Sequence, residues 1–156
     1  MLLSGAFALL GTLLGAWLTR RSQRDVLTFE ANLRRAAKLE ESVGDTKAII
    51  VDDEPTRIVM SSNPDGSLEL MRLLGERWSV VRTSLVGSSL LHDREEVRDA
   101  VAGLSVDVGN LLTAAGWLVQ DMSTTSKLTR SQLQEAATAY EQATERLEGL
   151  IELLRS

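Results

Sequence analysis

Residues 2–19 of this 156-residue chain contain no charged side chain, and basic residues follow immediately after. A helix needs about 20 mostly apolar residues to cross the hydrocarbon core of a bilayer, and this stretch comes close to that length. Its few hydroxyl side chains can bond back to helix carbonyls, and glycine is common in membrane helices. The stretch therefore predicts a single membrane-spanning helix at the N-terminus.

The flanking residues predict where the membrane ends and how the helix is oriented. Trp17 precedes Arg20, Arg21 and Arg24, and tryptophan prefers the headgroup zone while arginine extends outward from it. Residues 20–38 carry six basic and two acidic side chains. Basic residues accumulate on the cytoplasmic side, so we expect the N-terminus outside and the rest of the chain in the cytoplasm of a cell-membrane protein.

Residues 2–19 admit three other interpretations. A cleaved signal peptide carries its basic residues before the apolar run and a small-x-small site after it, whereas here the charges follow the run. An amphipathic surface helix needs a polar face, which this segment lacks. A helix buried in protein remains open, because the stretch is at the short limit for a span.

Small residues form one stripe along the predicted span. Ser4, Ala8, Gly11, Gly15 and Thr19 are spaced by three or four positions, and Gly11 and Gly15 form a GxxxG pattern. Such stripes let two helix backbones approach closely in lipid. The stripe predicts self-association in the membrane, although glycine and alanine are also frequent in membrane helices without that role.

Charge restricts the partners of the remaining chain. The whole chain has 17 basic and 22 acidic residues, which leaves 11 basic and 20 acidic residues in 39–156. An acidic domain disfavours nucleic acid as a partner, whereas the basic segment suits anionic lipid headgroups. The absence of cysteine excludes disulfides and thiol chemistry, and it fits a cytoplasmic location.

The segment after the arginines predicts a helical stalk and then an ambiguous connector. Phe29, Leu33 and Val43 recur at helical spacing, so we expect the N-terminal helix to continue to about residues 41–43. Residues 45–66 suit either a short β-hairpin around Pro55 or a continued helix followed by a short second one, and we favour helix. Asn63-Pro64-Asp65-Gly66 predicts a turn.

The rest of the sequence predicts three long helices. Apolar residues recur every three or four positions in three segments. The first spans 67–89, the second runs from an N-cap at Asp93 to about residue 121, and the third begins at an N-cap at Thr129. A polar loop is predicted at 123–127. Short loops between long helices force neighbours to run antiparallel. We therefore predict an all-α protein in which the N-terminal membrane helix continues into an antiparallel bundle of about four helices.

This interpretation divides the chain into four parts. They are a transmembrane anchor (1–21), a basic juxtamembrane stalk helix (22–44), a connector (45–66) and a helical bundle completed by the stalk (67–156).

Chemistry-bearing motifs are scarce. His92 is the only histidine, and the loop that holds it predicts a solvent-facing residue with no partner for general-base chemistry. The acidic run 52–54 predicts an exposed turn, because a cation would need further ligands. No glycine-rich loop matches a phosphate site. We expect no enzyme activity, metal, cofactor or small-molecule substrate.

Two features suggest contacts between helices or with a partner. Trp78 lies on a predicted core seam and Trp117 just beside one, so we expect both to pack in the core. The alternative for Trp117 is the edge of the bundle, where its indole N–H can stay in water. Trp117 is our candidate for a surface that binds a protein. Gly103, Gly109 and Gly116 share one helix face and predict a close approach of a neighbouring helix.

The segments 9–24 (LLGTLLGAWLTRRSQR) and 77–104, with its VRTSLVGS and EVRDAV sequences, carry a resemblance. The layout resembles a group of small bacterial proteins, frequent in actinobacteria and their phages, in which a glycine-rich membrane helix ends in Thr-Arg-Arg and leads into a helical bundle. The resemblance implies architecture and location, and no activity.

These observations favour a non-enzymatic, membrane-tethered helical scaffold that self-associates and binds an unidentified protein partner. Two alternatives remain open. One is a phage-type membrane effector, such as a holin-like or exclusion protein, and the other is a structural subunit of a larger particle in which residues 2–19 are buried in protein.

Overall fold

A computed structural model describes residues 2–52, 64–90, 92–125 and 128–156, with side chains from residue 23 onward except at 52, 64 and 65. The chain divides into two compact units, Met1–Ala36 and Ala37–Ser156. The described residues are helical and contain no strand, as predicted. The helices are α1 (Leu2–Lys47), α2 (Pro64–Ser89), α3 (Glu95–Thr125) and α4 (Arg130–Arg155), and a π-helical turn follows α1 at Ala48–Asp52.

The first half of the connector is helical. The β-branched run Ile49–Val51 lies in the π-helical turn, so the hairpin alternative fails there, while residues 53–63 lie outside the described part. The turn predicted at 63–66 is wrong for its last three residues, because α2 begins at Pro64. Proline suits the first turn of a helix, where its missing N–H would have no intrahelical partner.

The loop predicted at 123–127 is also partly wrong, since α3 extends to Thr125. The hydroxyls of Ser123 and Thr124 donate to the carbonyl of Gln120, at 2.7 and 3.0 Å, and such back-bonding keeps short polar side chains within a helix. The predicted cap of α4 is confirmed. Thr129 accepts from the backbone N–H of Gln132, and the Gln132 side chain accepts from the backbone N–H of Thr129 at 2.9 Å.

Polar contacts between α3 and α4 show that these helices run antiparallel. Asp121, near the end of α3, bonds Gln132 at the start of α4, and Asp107 in mid-α3 bonds Arg146. Just before α3, the Arg94 guanidinium donates to the carbonyl of Leu153 at 2.8 Å, close to the end of α4. Residues later in α3 therefore bond to residues earlier in α4, as expected for antiparallel helices.

The bundle unit has a continuous apolar core. Helix α3 packs between α2 and α4, and the π-helical turn packs against α4. The buried residues include most of the predicted seams: Met71, Leu74, Trp78, Val81, Leu85, Val97, Val101, Leu104, Val108, Leu111, Ala115, Leu118, Ala136, Ala143, Leu147 and Leu150. One seam position is wrong, because Leu133 in the first turn of α4 is 40% exposed.

Only the last part of the predicted stalk contributes to this core. Leu39 and Val43 are buried, and the hydroxyls of Ser42 and Ser84 share a hydrogen bond of 2.9 Å between α1 and α2. Phe29 and Leu33 have helical spacing as predicted, yet their side chains are more than half exposed. Spacing placed them on one face of the helix, and no part of the described chain covers that face.

Candidate functional site

Most of the predicted membrane residues lie where the structure describes only the backbone. Helix α1 begins at Leu2 and is α-helical through the small-residue stripe (Ser4, Ala8, Gly11, Gly15 and Thr19) and through Trp17, Arg20 and Arg21. The side chains of these residues lie outside the described part. Arg24 lies within it and is exposed. The roles given to these residues stay predictions.

The described part of unit 1 carries an exposed apolar face. Val26, Phe29 and Leu33 are 53%, 64% and 54% exposed, and their spacing of three and four residues places them on one side of α1. At 3.6 residues per turn, Arg24 and Arg35 fall on the opposite side of the helix, and both are exposed. Leu27 is 65% exposed and lies off this row, so apolar side chains are exposed on more than one side of the segment.

Trp117 is 60% exposed and lines a groove of about 820 Å³ between α3 and α4. Most of its other lining residues have polar side chains, among them Asn110, Thr113, Arg130, Gln134 and Gln142. Exposed tryptophans with polar neighbours are common anchors of protein interfaces, because a large rigid ring loses little entropy when it is buried. Trp117 therefore lies at the bundle edge, the alternative to core packing, and its role in binding a protein stays a prediction.

Gly103 has a specific packing role, whereas Gly109 and Gly116 do not. A Cβ atom at Gly103 would lie 2.9 Å from Cζ of Arg146, while one at Gly109 or Gly116 would meet nothing within 4 Å. The predicted close approach of a neighbouring helix at all three glycines is therefore wrong. Gly103 instead makes room for the Arg146 side chain, which pairs with Asp107.

The Asp107–Arg146 pair is partly withdrawn from water. The Asp107 side chain is only 13% exposed, whereas the Arg146 side chain is 48% exposed. A carboxylate with so little exposure needs a partner, because burying an unpaired charge is costly. The pair therefore fixes the register of α3 against α4. Nothing in the spacing of a single helix could have revealed it.

His92 has a structural role that sequence reasoning missed. It is half-buried, and its Nδ1 accepts from the backbone N–H of Arg94 at 3.2 Å, while its carbonyl accepts from Arg98 at 2.6 Å. Arg94 also reaches the last turn of α4, where carbonyls lack intrahelical partners. The solvent-facing histidine predicted from sequence is wrong, and this group of residues ties the α2–α3 loop to α4.

The exposed face of α2 carries a ladder of three charges. Arg72 donates to Glu69 at 2.7 Å and also pairs with Glu76, one turn on either side. The hydrogen bonds from Arg72 hold the pKa of Glu69 below its usual value, and the two carboxylates raise the pKa of Arg72. All three side chains are more than half exposed. The ladder links successive turns on the exposed face of α2.

Among the described residues, no group of three histidine or acidic side chains is arranged to hold a metal ion. One helix in that part, Glu95–Thr124 of α3, is long and apolar enough to cross a membrane. The same segment supplies the centre of the bundle core, with Val101, Leu104 and Leu111 fully or almost fully buried. Burial between α2 and α4 accounts for its apolar character equally well.

No family model matches this chain, and neither does any curated protein or solved structure. The resemblance to small actinobacterial and phage proteins therefore stays a prediction.

Proposed function

We propose that this protein is a non-enzymatic, membrane-tethered scaffold that self-associates through its N-terminal helix and presents the bundle to a protein partner. The membrane span is residues 2–19, with the N-terminus outside the cell and the bundle in the cytoplasm. Trp17, Arg20, Arg21 and Arg24 lie at the inner membrane surface, where the basic side chains contact anionic headgroups.

The observation that carries this proposal is the location of the described core. Among the described side chains, the core residues lie in unit 2, between Leu39 and Leu150, whereas the uncharged stretch 2–19 belongs to unit 1. A core of this extent within unit 2 is consistent with a lipid environment for the 18 uncharged residues. This arrangement supports an anchor rather than a core element.

Helix α3 is the competing span, and its charges argue against it. Arg98, Asp99 and Asp107 lie within Glu95–Thr124, and a charged residue near the centre of a span costs about 2.5–3.5 kcal/mol for insertion. Residues 2–19 contain no such residue. We therefore assign the span to residues 2–19 and treat α3 as the central helix of the cytoplasmic bundle.

Alkaline carbonate extraction of the full-length chain tests the tether. Leu10→Arg combined with Leu13→Arg places two charges in the proposed span and should release the protein from membranes, since each costs about 2.5–3.5 kcal/mol. Val80→Arg is the matched control, because Val80 is 71% exposed on the bundle and should tolerate a charge. Retention of the double variant in the membrane fraction would refute the assignment of residues 2–19.

Thiol labelling tests the topology, because the chain has no cysteine of its own. Val106, at the middle of α3, is 58% exposed, so Val106→Cys should react with a membrane-impermeant maleimide. We expect reaction in inside-out membranes and none in intact cells. If α3 crossed the bilayer instead, Val106→Cys would stay unlabelled in both, while an exposed bundle position such as Val80→Cys would still react in one of them.

Self-association and partner binding have separate tests. Replacing Gly11 and Gly15 by isoleucine should reduce the oligomer mass of the full-length protein in detergent, and an unchanged mass would refute the role of the stripe.

Trp117→Ala should weaken capture of a cytoplasmic partner without changing the unfolding temperature, because the ring is mostly exposed. The matched control is Leu73→Ala, which removes an exposed apolar side chain from α2.

A further inference from the structure

We propose that the groove between α3 and α4, lined by Trp117, is the surface through which a second copy of this chain binds. The groove has a volume of about 820 Å³, and its described lining residues all belong to unit 2. The proposal rests on the proposed function for Trp117 as a binding surface, and it names the partner as another copy of the same bundle. It adds a contact between bundles to the proposed contact between membrane spans.

The groove carries no net charge, although the domain around it is acidic. Residues 39–156 have a net charge of −9, since they include 11 basic and 20 acidic side chains. Among the described lining residues, only Arg130 and Glu135 are charged, and their charges are opposite. Two copies of an acidic domain repel each other, so they meet most favourably where neither presents a net charge.

Helix α4 keeps its exposed charges away from most of the groove. Uncharged exposed residues recur every three or four positions along the groove wall: Ser131, Gln134, Thr138 and Gln142. Four exposed glutamates of α4 are absent from that wall: Glu141, Glu145, Glu148 and Glu152. The opposite wall, from α3, is also uncharged and includes Asn110, Thr113 and Trp117. Depletion of charge is typical of the centre of a protein interface, so the groove fits that role better than the rest of α4.

The groove and Trp117 can fit each other in a symmetric pair. Trp117 is 60% exposed, and it lines both this groove and a neighbouring recess of about 270 Å³. Ala114 and Ala139 lie in the groove lining, where their small side chains leave room. A two-fold interface uses the same patch on both copies, so the patch must be complementary to itself. A large exposed ring beside a recess lined by alanine meets this requirement, because each copy can place its Trp117 in the groove of the other.

The two charged residues of the groove favour a second copy over a strongly basic or acidic partner. Arg130 and Glu135 are both exposed, so the arginine of one copy can pair with the glutamate of the other. A partner with charges of one sign would be repelled by one of these two residues. Exposed ion pairs add little to binding, so burial of Trp117 supplies most of the affinity.

Maleimide labelling of the purified full-length chain in uncharged detergent tests the contact, because no other protein is present and each introduced cysteine is the only one. Thr113→Cys and Gln134→Cys place a thiol on each wall of the groove. The matched controls are Val80→Cys on α2 and Glu148→Cys on α4, at exposed positions outside the groove. With about four-fifths of the chains paired, the groove cysteines should react about five-fold more slowly than the controls, and dilution should remove the difference.

Trp117→Ala in the Thr113→Cys chain should restore fast labelling, with a dissociation constant raised at least about ten-fold, whereas the control Leu73→Ala should not. Equal labelling of groove and control cysteines at every protein concentration, or protection that Trp117→Ala leaves unchanged, would overturn the proposal. Protection that appears only after cytosol is added would also overturn it, while keeping Trp117 as a surface for another protein. Groove protection that persists with Gly11→Ile and Gly15→Ile would support the second copy independently of the membrane stripe.

Discussion

Replacing Gly103 and Gly109 by alanine should have different effects on stability, although both glycines lie inside α3. Alanine favours a helix interior over glycine by about 0.8–1 kcal/mol, and this gain is the same at the two positions. A Cβ atom at Gly109 meets nothing within 4 Å, so Gly109→Ala should keep the gain. We expect its free energy of unfolding to rise by up to about 1 kcal/mol.

Gly103→Ala should keep less of that gain. The new Cβ would lie 2.9 Å from Cζ and 3.0 Å from Cδ of Arg146, so the flexible arginine side chain must shift, which weakens its pairing with Asp107. A hydrogen bond to a charged group is worth about 1.5–3 kcal/mol, and the half-exposed Arg146 lowers this to at most about 1–2 kcal/mol. Gly103→Ala should therefore lie below Gly109→Ala in stability by up to about 1–2 kcal/mol.

Thermal unfolding of the full-length chain in detergent, followed by helical circular dichroism, measures this difference. A gap of about 1–2 kcal/mol corresponds to roughly 2–8 °C in Tm for a domain of this size. Arg146→Ala provides the control, because Gly103→Ala in that background meets no Arg146 side chain and should be as stabilising as Gly109→Ala. If Gly103→Ala raises Tm as much as Gly109→Ala while Arg146 is present, the packing of Arg146 over Gly103 is refuted.

Two further outcomes follow from the described residues. Leu104→Ala, at a fully buried position of α3, should cost about 2–5 kcal/mol in urea unfolding; a cost below about 1 kcal/mol would contradict the core. Because Arg72 lowers the pKa of Glu69, their pairing stabilises the fold above pH 4.5 and is lost as pH falls through the lowered pKa. Unfolding temperatures should therefore fall less steeply with acid in Arg72→Met.

The helices of the bundle and their buried faces were predictable because the spacing of apolar residues within each helix indicates both. Apolar residues at three-and-four intervals identified the buried faces of α2 and α3, and the pair Thr129 and Gln132 identified the start of α4. The errors fall where local signals compete. Pro64 is compatible both with a β-turn and with the first turn of a helix, which is where the structure places it. Ser123 and Thr124 favour loops by composition but bond back to their own helix here.

Contacts between helices could not be predicted in this way. The Arg146 side chain over Gly103 depends on the rotation and height of α4 against α3, and the spacing within one helix does not determine either quantity. Arg94 shows the same limit, because its bond to Leu153 joins residues that are 59 positions apart. The sequence identified Gly103 as unusual for a helix interior, yet it could not identify a side chain rather than a backbone as the neighbour.

Apolar spacing identifies a face of a helix, and the structure is needed to show what covers that face. Val97, Val101 and Leu104 have the same kind of spacing as Val26, Phe29 and Leu33, and in the first set the chain supplies its own cover from α2 and α4. The second set remains in water because unit 1 offers the described residues no neighbouring helix. Water is an unfavourable environment for three large apolar side chains in a row. The same three-and-four spacing therefore accompanies a buried face in α3 and an exposed face in α1, so spacing alone does not determine burial.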